Sequence, residues 1–284
     1  MHYVSAKLLK KIYKPRAKWS HKGMYGKLLV IGGSKIYSGS PTFNAIAAYR
    51  AGCDLVTIAA PKRAADIVAK FLPDMITIPL EGDCLTDKHI KEITPLIDNH
   101  DAVVIGGGLG REKKTIEAVK NILRYIKKSG NPCVVDADAL HALKGFHLAK
   151  NFALTPHSQE FFVVTGTRVR ADVYSRINET KKAAAKLNCV ILLKGYADVI
   201  SDGKRVAVNR TGNPYMTKGG TGDTLAGICG ALLARNVDAF DAACASAFIN
   251  GAAGDLAAKK HIESTLASDV ADEIKNVLKK FVKK

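Results

Sequence analysis

Short apolar runs alternate with helix-like stretches along this chain, and most runs close on glycine or on one charged residue. Lys27 to Ile31 ends at Gly32-Gly33. Further strand candidates are Leu55 to Ala59, Met75 to Leu80, Ala102 to Ile105, Cys133 to Val135, Phe152 to Leu154 and Cys189 to Leu193. Between them Pro41 to Arg50, Arg63 to Phe71, Asp87 to Ile97, Glu112 to Lys128 and Asp172 to Leu187 carry helical patterns. Runs so short and so apolar suit strands buried on both faces, and parallel strands need a crossover helix between them. The pattern predicts an α/β fold, a three-layer α/β/α sandwich on a mostly parallel central sheet. After Lys194 the spacing changes. Asp198 to Ser201 and Arg205 to Asn209, joined around Asp202-Gly203, read as an antiparallel hairpin at the sheet edge. Helices dominate from Gly222 onward, with Ala/Gly-rich stretches from Ala242 to Ala258 that permit close packing. With no repeat and no linker, residues 1–284 read as a single domain with a basic lead-in over residues 1–25.

A chain of 284 residues with 47% hydrophobic content can bury a sizeable core. No apolar run is long enough to cross a bilayer, and no membrane role is expected. Cysteines 53, 84, 133, 189, 229 and 244 are scattered without a Cys-x-x-Cys pair, which fits reduced, buried thiols in the cytoplasm. The net charge of +17 gathers at the two ends, in Lys7, Lys10, Lys11, Lys14, Arg16, Lys18 and Lys22, and in Lys275, Lys279, Lys280, Lys283 and Lys284. No aromatic platform or helix-turn-helix spacing accompanies these lysines. A solvated basic surface is expected rather than specific nucleic-acid binding, and its field would draw in polyanionic substrates.

The loop Asn209 to Asp223 carries the clearest chemistry. Gly212, Gly219, Gly220 and Gly222 precede one acid, Asp223, where the helical run Thr224 to Arg235 begins. Unpaired N–H groups and the dipole at a helix start suit an anion, and glycine lets a phosphate approach the backbone. A carboxylate there would repel phosphate, but it suits a base that strips a proton from a hydroxyl attacking one. The alternative is an ordinary first-turn acid.

Other loops follow predicted strands. Gly106-Gly-Gly-Leu-Gly-Arg111 follows Ala102 to Ile105, at the edge where open α/β sheets bind ligands. Thr155-Pro-His157-Ser-Gln-Glu160 follows Phe152 to Leu154. Here His157 could touch a substrate and Glu160 could steady water around Mg²⁺, or Thr155 or Ser158 could cap a helix. Lys194-Gly195 ends another strand and could reach a nucleotide or only solvent. Asp136 and Asp138 could order a metal's water shell, though a helix cap is favoured. Together these loops point to an enzyme that handles phosphate.

In combination these residues resemble the carbohydrate-kinase-like NAD(P)H-hydrate dehydratases of the ribokinase-like superfamily. The resemblance runs from about His21 to the last helices. It rests on His21 to Gly26, Gly32-Gly33-Ser34, Gly39 to Gly52, Gly106 to Arg111, Asp136 to Leu140, Leu154 to His157 with Glu160, Lys194-Gly195, and Gly212-Asn213 through Gly220 to Asp223. It implies a ribokinase-like fold and nucleotide-dependent dehydration of the (6S)-hydrates of NADH and NADPH. The donor would be ADP or ATP with Mg²⁺, ADP being favoured. Carried over residue by residue, it makes Asp223 the catalytic base and Gly220, Thr221 and Gly222 an anion hole. Ser40, Pro41, Gly108, His157 and Asp223 would bind the hydrate. Lys194, Gly195, Tyr196, Ala197, Asp198 and Gly222 would bind the nucleotide, and Glu160 would serve the metal through water. Relatives often have Gly-Ala-Ala at 39–41 and Gly-Pro-Gly at 106–108, so this chain departs there. Many also carry an epimerase domain first. The roughly 25 residues before the first predicted strand here are too few for one, so a stand-alone dehydratase is expected, forming a tetramer by resemblance. The competing readings are a superfamily kinase of a hydroxymethylpyrimidine or thiazole alcohol, and a nucleotide sensor or RNA-associated basic protein.

Overall fold

A computed structural model describes residues 2–282; Lys283 and Lys284, counted above in the basic C-terminal run, lie outside the described residues. Ten strands form one sheet: β1 (His2–Tyr3), β2 (Lys27–Ile31), β3 (Leu55–Pro61), β4 (Ile76–Leu80), β5 (Ala102–Ile105), β6 (Cys133–Val135), β7 (Phe152–Leu154), β8 (Val190–Leu193), β9 (Asp198–Ser201) and β10 (Val206–Asn209). Their order is β1-β10-β9-β8-β7-β6-β5-β2-β3-β4. Pairing is parallel except on the two sides of β9. Among the described residues ten α-helices surround the sheet: α1 (Lys7–Ile12), α2 (Gly39–Arg50), α3 (Lys62–Val68), α4 (Ile90–Asp98), α5 (Lys113–Ser129), α6 (Ser158–Thr165), α7 (Val173–Leu187), α8 (Thr221–Ala234), α9 (Ala239–His261) and α10 (Ala267–Phe281).

The three layers follow from the pleat. Alternate side chains of a strand leave opposite faces. Leu28 and Val30 of β2 therefore join one core with α2, α8, α9 and α10, while Leu29 and Ile31 join the other with α4, α5 and α7. All six cysteines are buried and unpaired. Among the described residues no helix is long and apolar enough to cross a membrane.

One expectation needs correction. The β9–β10 hairpin forms, but not at the edge: the two residues of β1 pair in parallel with β10 and cap it. Within the basic lead-in, Leu9 of α1 is fully buried in the larger core, while Lys7, Lys10 and Lys11 of the same helix are exposed.

The chain builds β2, β3 and β4 outward, then returns to lay β5 on the other side of β2 and continues through β8. That reversal opens a crevice between the carboxyl ends of β2 and β5, the place where doubly wound sheets take ligands. The loops that fill it are Gly32-Gly33 and Gly106 to Gly108. Helix α8 is seated beside it at close range, because Gly227 lies directly on the backbone of Asn44 in α2 and a methyl group there would collide with the Asn44 carbonyl.

Candidate active site

Asp223 sits in the first turn of α8, which Gly220 opens at φ +97°, a left-handed conformation that glycine adopts without strain. Three long-range contacts fix this turn. Asn44 Nδ2 donates to the Asp223 carbonyl at 2.7 Å. The Thr224 hydroxyl lies 2.7 Å from Asn250 Oδ1, and Asn250 Nδ2 donates to the Thr221 carbonyl at 3.2 Å. The preceding loop is tied to α9: Gly212 N–H and Asn213 Nδ2 both donate to the Asp255 carboxylate, at 3.1 and 3.0 Å. The turn is therefore preorganised before any ligand arrives.

On one side of Asp223 lies a cavity of about 700 Å³. The ends of β6, β7 and β8 contribute Asp136, His157 and Lys194 to its wall, and the 211–223 loop and α9 supply the rest. Met216, Leu225 and Ala247 give its lining apolar groups; Lys194, Thr221, Gly222 and Asp223 give it polar ones. On the other side of Asp223 is the switch-point crevice. A methyl group placed on Gly107 would stand 2.7 Å from Asp223 Oδ1 and 2.9 Å from Ser40 Cβ. The carboxylate thus separates two spaces and touches both.

Burial pushes the Asp223 carboxyl up to about 7, and the charge of Asp136 adds to this; the Ser40 hydroxyl and Lys194 pull the other way. A carboxylate held near neutrality accepts a proton far more readily than an ordinary one.

Lys194 is not a free hook for a nucleotide. Its ammonium donates to Asp136 Oδ1 at 3.0 Å and lies 3.8 Å from Glu160 Oε2, with its side chain only 20% exposed. Burial alone would lower its pKa, but Asp136 and Glu160 outweigh that and the pKa is raised. The ammonium also stands against Gly222, 3.2 Å from where a side chain would begin. The reading of Lys194 as a lysine reaching to solvent is excluded.

Asp136 does not cap the following 3-10 turn; Thr155 donates its hydroxyl to Asp136 Oδ1 at 2.7 Å. Asp138 instead accepts from Gly110 N–H and Arg111 Nε. Neither Thr155 nor Ser158 caps α6. His157 does so, its Nδ1 accepting from Gln159 and Glu160 N–H while Glu160 accepts from His157 N–H at 2.8 Å. His157 keeps an exposed ring on the cavity.

Not all expected site residues meet. His157, Lys194, Gly195, Tyr196, Asp198, Gly220, Thr221, Gly222 and Asp223 line the large cavity. Ala197 does not; it is buried behind the loop. Glu160 is buried and does not line the cavity. Ser40, Pro41 and Gly108 lie in the crevice, where Gly108 packs on Tyr37, Ser40 and Gly33, so Gly108 and His157 do not share one wall. Asn44, Asn250 and the Asp136–Lys194 pair were missed by sequence reasoning. Asn44 carried a usable signal, a lone amide among the small apolar residues of a buried helix face.

Gly107→Ala tests the crevice contact. Its added methyl must displace Asp223 or Ser40, so turnover is expected to fall at least about tenfold, while the cost in stability stays near the ~1–3 kcal/mol of mild overpacking. Unchanged turnover in a folded variant would show that the Asp223 position is not constrained from this side.

Comparison with known proteins bears directly on this site. Residues 28–276 match the family model described as NAD(P)H-hydrate dehydratase. The chain is 44% identical over 262 residues to the bifunctional NAD(P)H-hydrate repair enzyme Nnr of Pyrobaculum aerophilum, covering 92% of this chain and 52% of that one. It spans about half the length of the bifunctional relatives it matches. It is 38% identical over 275 residues to the ADP-dependent (S)-NAD(P)H-hydrate dehydratase of Cenarchaeum symbiosum, covering 96% of this chain and 95% of that one. The structure is similar, with a TM-score of 0.83 and 27% identity, to the ADP/ATP-dependent NAD(P)H-hydrate dehydratase from Bacillus subtilis co-crystallised with ATP/Mg²⁺, covering 99% and 98% of the two chains.

Proposed function

Because the chain belongs to the NAD(P)H-hydrate dehydratase family and has its ribokinase-like fold, we propose that it converts the (6S)-hydrates of NADH and NADPH back to NADH and NADPH, using ADP or ATP. The observation that carries this reading is a near-neutral carboxylate, Asp223, standing between a nucleotide-sized cavity and the switch-point crevice.

The nucleotide would fill the large cavity, with its base toward Met216, Leu225 and Ala247 and its phosphates toward Lys194 and the first turn of α8. The hydrated nicotinamide would enter beside Ser40, Pro41, Gly107 and Gly108. Asp223 takes the proton of the C6 hydroxyl, and that oxygen attacks the terminal phosphoryl group in line. The bond to the donor's bridging oxygen breaks, leaving AMP from ADP or ADP from ATP. Backbone amides of Gly220, Thr221 and Gly222 stabilise charge on the group in transfer. The ring-nitrogen lone pair then expels phosphate from C6, and loss of a C5 proton to water restores the double bond. Phosphate leaves far more readily than hydroxide, so a strong protein acid is not needed.

No three His, Cys, Asp or Glu side chains converge as a cation cage among the described residues. The Asp136 and Glu160 carboxylates, both turned onto Lys194, suit only a hydrated ion, and Mg²⁺ keeps most of its waters in such sites. When bound with the donor's phosphates it would offset their charge. The buried, unpaired cysteines support a reducing, cytoplasmic setting.

The test is to incubate the protein with NADH hydrate, Mg²⁺ and either ADP or ATP. The expected result is return of reduced-nicotinamide absorbance with one free phosphate per turnover. A stable phosphorylated alcohol formed from a hydroxymethylpyrimidine or thiazole substrate, with the hydrate untouched, would overturn it.

A further inference from the structure

A second recess of about 350 Å³ lies on the opposite side of the loop after β8, among Ser158, Val169, Arg170, Arg176, Gly195 and Tyr196. Gly195 and Tyr196 border both this recess and the large cavity. Arg176 is only 7% exposed, and its hydrogen bonds go to neutral oxygens: the Ser158 hydroxyl at 3.1 Å, the Leu193 carbonyl at 3.2 Å and the Lys194 carbonyl at 2.8 Å. Its Nε has no partner. The nearby acids are engaged elsewhere. Asp198 accepts from Gly195 N–H and Asn209, and Asp172 accepts from Ser175 N–H at the start of α7. Burial lowers the Arg176 pKa and Asp198 only partly offsets this. A buried cation without a contacting anion is destabilising, and neutral donors could tie the same carbonyls without that cost. Arg170 brings a second positive charge to the rim of the same recess.

We propose that this recess is a second anion site, taking the phosphate group of a small molecule between Arg176 and Arg170. A guanidinium presents a planar fork that matches phosphate oxygens, and the recess has half the volume of the nucleotide-sized cavity. The assignment does not depend on the reaction proposed above.

The test fills the large cavity with a non-hydrolysable ATP analogue and titrates inorganic phosphate calorimetrically. One saturable phosphate site is expected. Arg170→Ala, an exposed change, should weaken it about 10- to 100-fold while leaving affinity for the analogue unchanged. Arg176→Lys keeps the charge without the fork and should weaken it similarly. Glycerol phosphate in place of inorganic phosphate distinguishes the source: comparable binding assigns the site to organic phosphates, and binding of inorganic phosphate alone assigns it to the free ion. Absence of saturable phosphate binding with the large cavity filled, or unaltered binding in folded Arg170→Ala protein, would overturn the proposal.

Discussion

Asp223→Asn is expected to lower turnover by about 10²–10⁴-fold, the usual loss for a general base, while nucleotide affinity holds or rises slightly. Asparagine keeps the shape and loses the basicity, and it removes a negative charge from the wall that faces the donor's phosphates. Were Asp223 only a first-turn residue, the same change would be nearly neutral. Single-turnover rates together with nucleotide titration separate these outcomes.

The same substitution has a stability signature whose sign is fixed. The folded-state pKa of about 7 stands above the ordinary 3.8, so the unfolded chain loses its proton first as pH rises. Ionised Asp223 therefore costs stability progressively from about pH 4 to pH 7, and the cost then levels off. Asp223→Asn should raise the melting temperature at pH 8 and leave it unchanged near pH 4. The gain is roughly 1–3 kcal/mol once solvent screening at the half-buried carboxylate is allowed for. A gain equal at both pH values would mean that the carboxyl is not held out of its ordinary range.

Lys194→Ala is expected to weaken ADP and ATP binding by about 10- to 100-fold, the range for one charge-assisted hydrogen bond. The structure adds a second effect. Without the ammonium, the carboxylates of Asp136 and Glu160 face each other largely buried, at a cost of about 3–5 kcal/mol. Lys194 also holds the Asp223 pKa down, so the acid limb of the rate should move to higher pH in the variant. Pairing Lys194→Met with Asp136→Asn should recover much of the stability but not the nucleotide affinity. Unchanged ADP and ATP binding in a folded single variant would contradict a role for Lys194 at the nucleotide.

What the sequence revealed and what it hid divide along the range of the interactions involved. The strands announce themselves because burial on both faces leaves uniformly apolar runs, and the loops that follow them carry the glycines and acids of the site. The end of the sheet was misread because β1 is two residues long and exists only through its pairing with β10. The cap of α6 is not legible locally, because His157 takes it while Thr155 and Ser158 are drawn off to Asp136 and Arg176. Lys194 could not be read correctly by itself, since its partners lie 58 and 34 residues earlier in the chain. Asn44 reaches across 179 residues to hold the Asp223 turn, a contact that no local pattern encodes.

The pH dependence of kcat/KM for the hydrate, at saturating nucleotide, tests the role of Asp223 most directly. A base must be ionised to act, so with a folded-state pKa of about 7 the rate should fall about tenfold per unit as pH drops below 7, and stay level above it. The residual rate of Asp223→Asn should lack that limb. A wild-type profile flat down to pH 5, or an identical limb retained in Asp223→Asn, would contradict the assignment of Asp223 as the base.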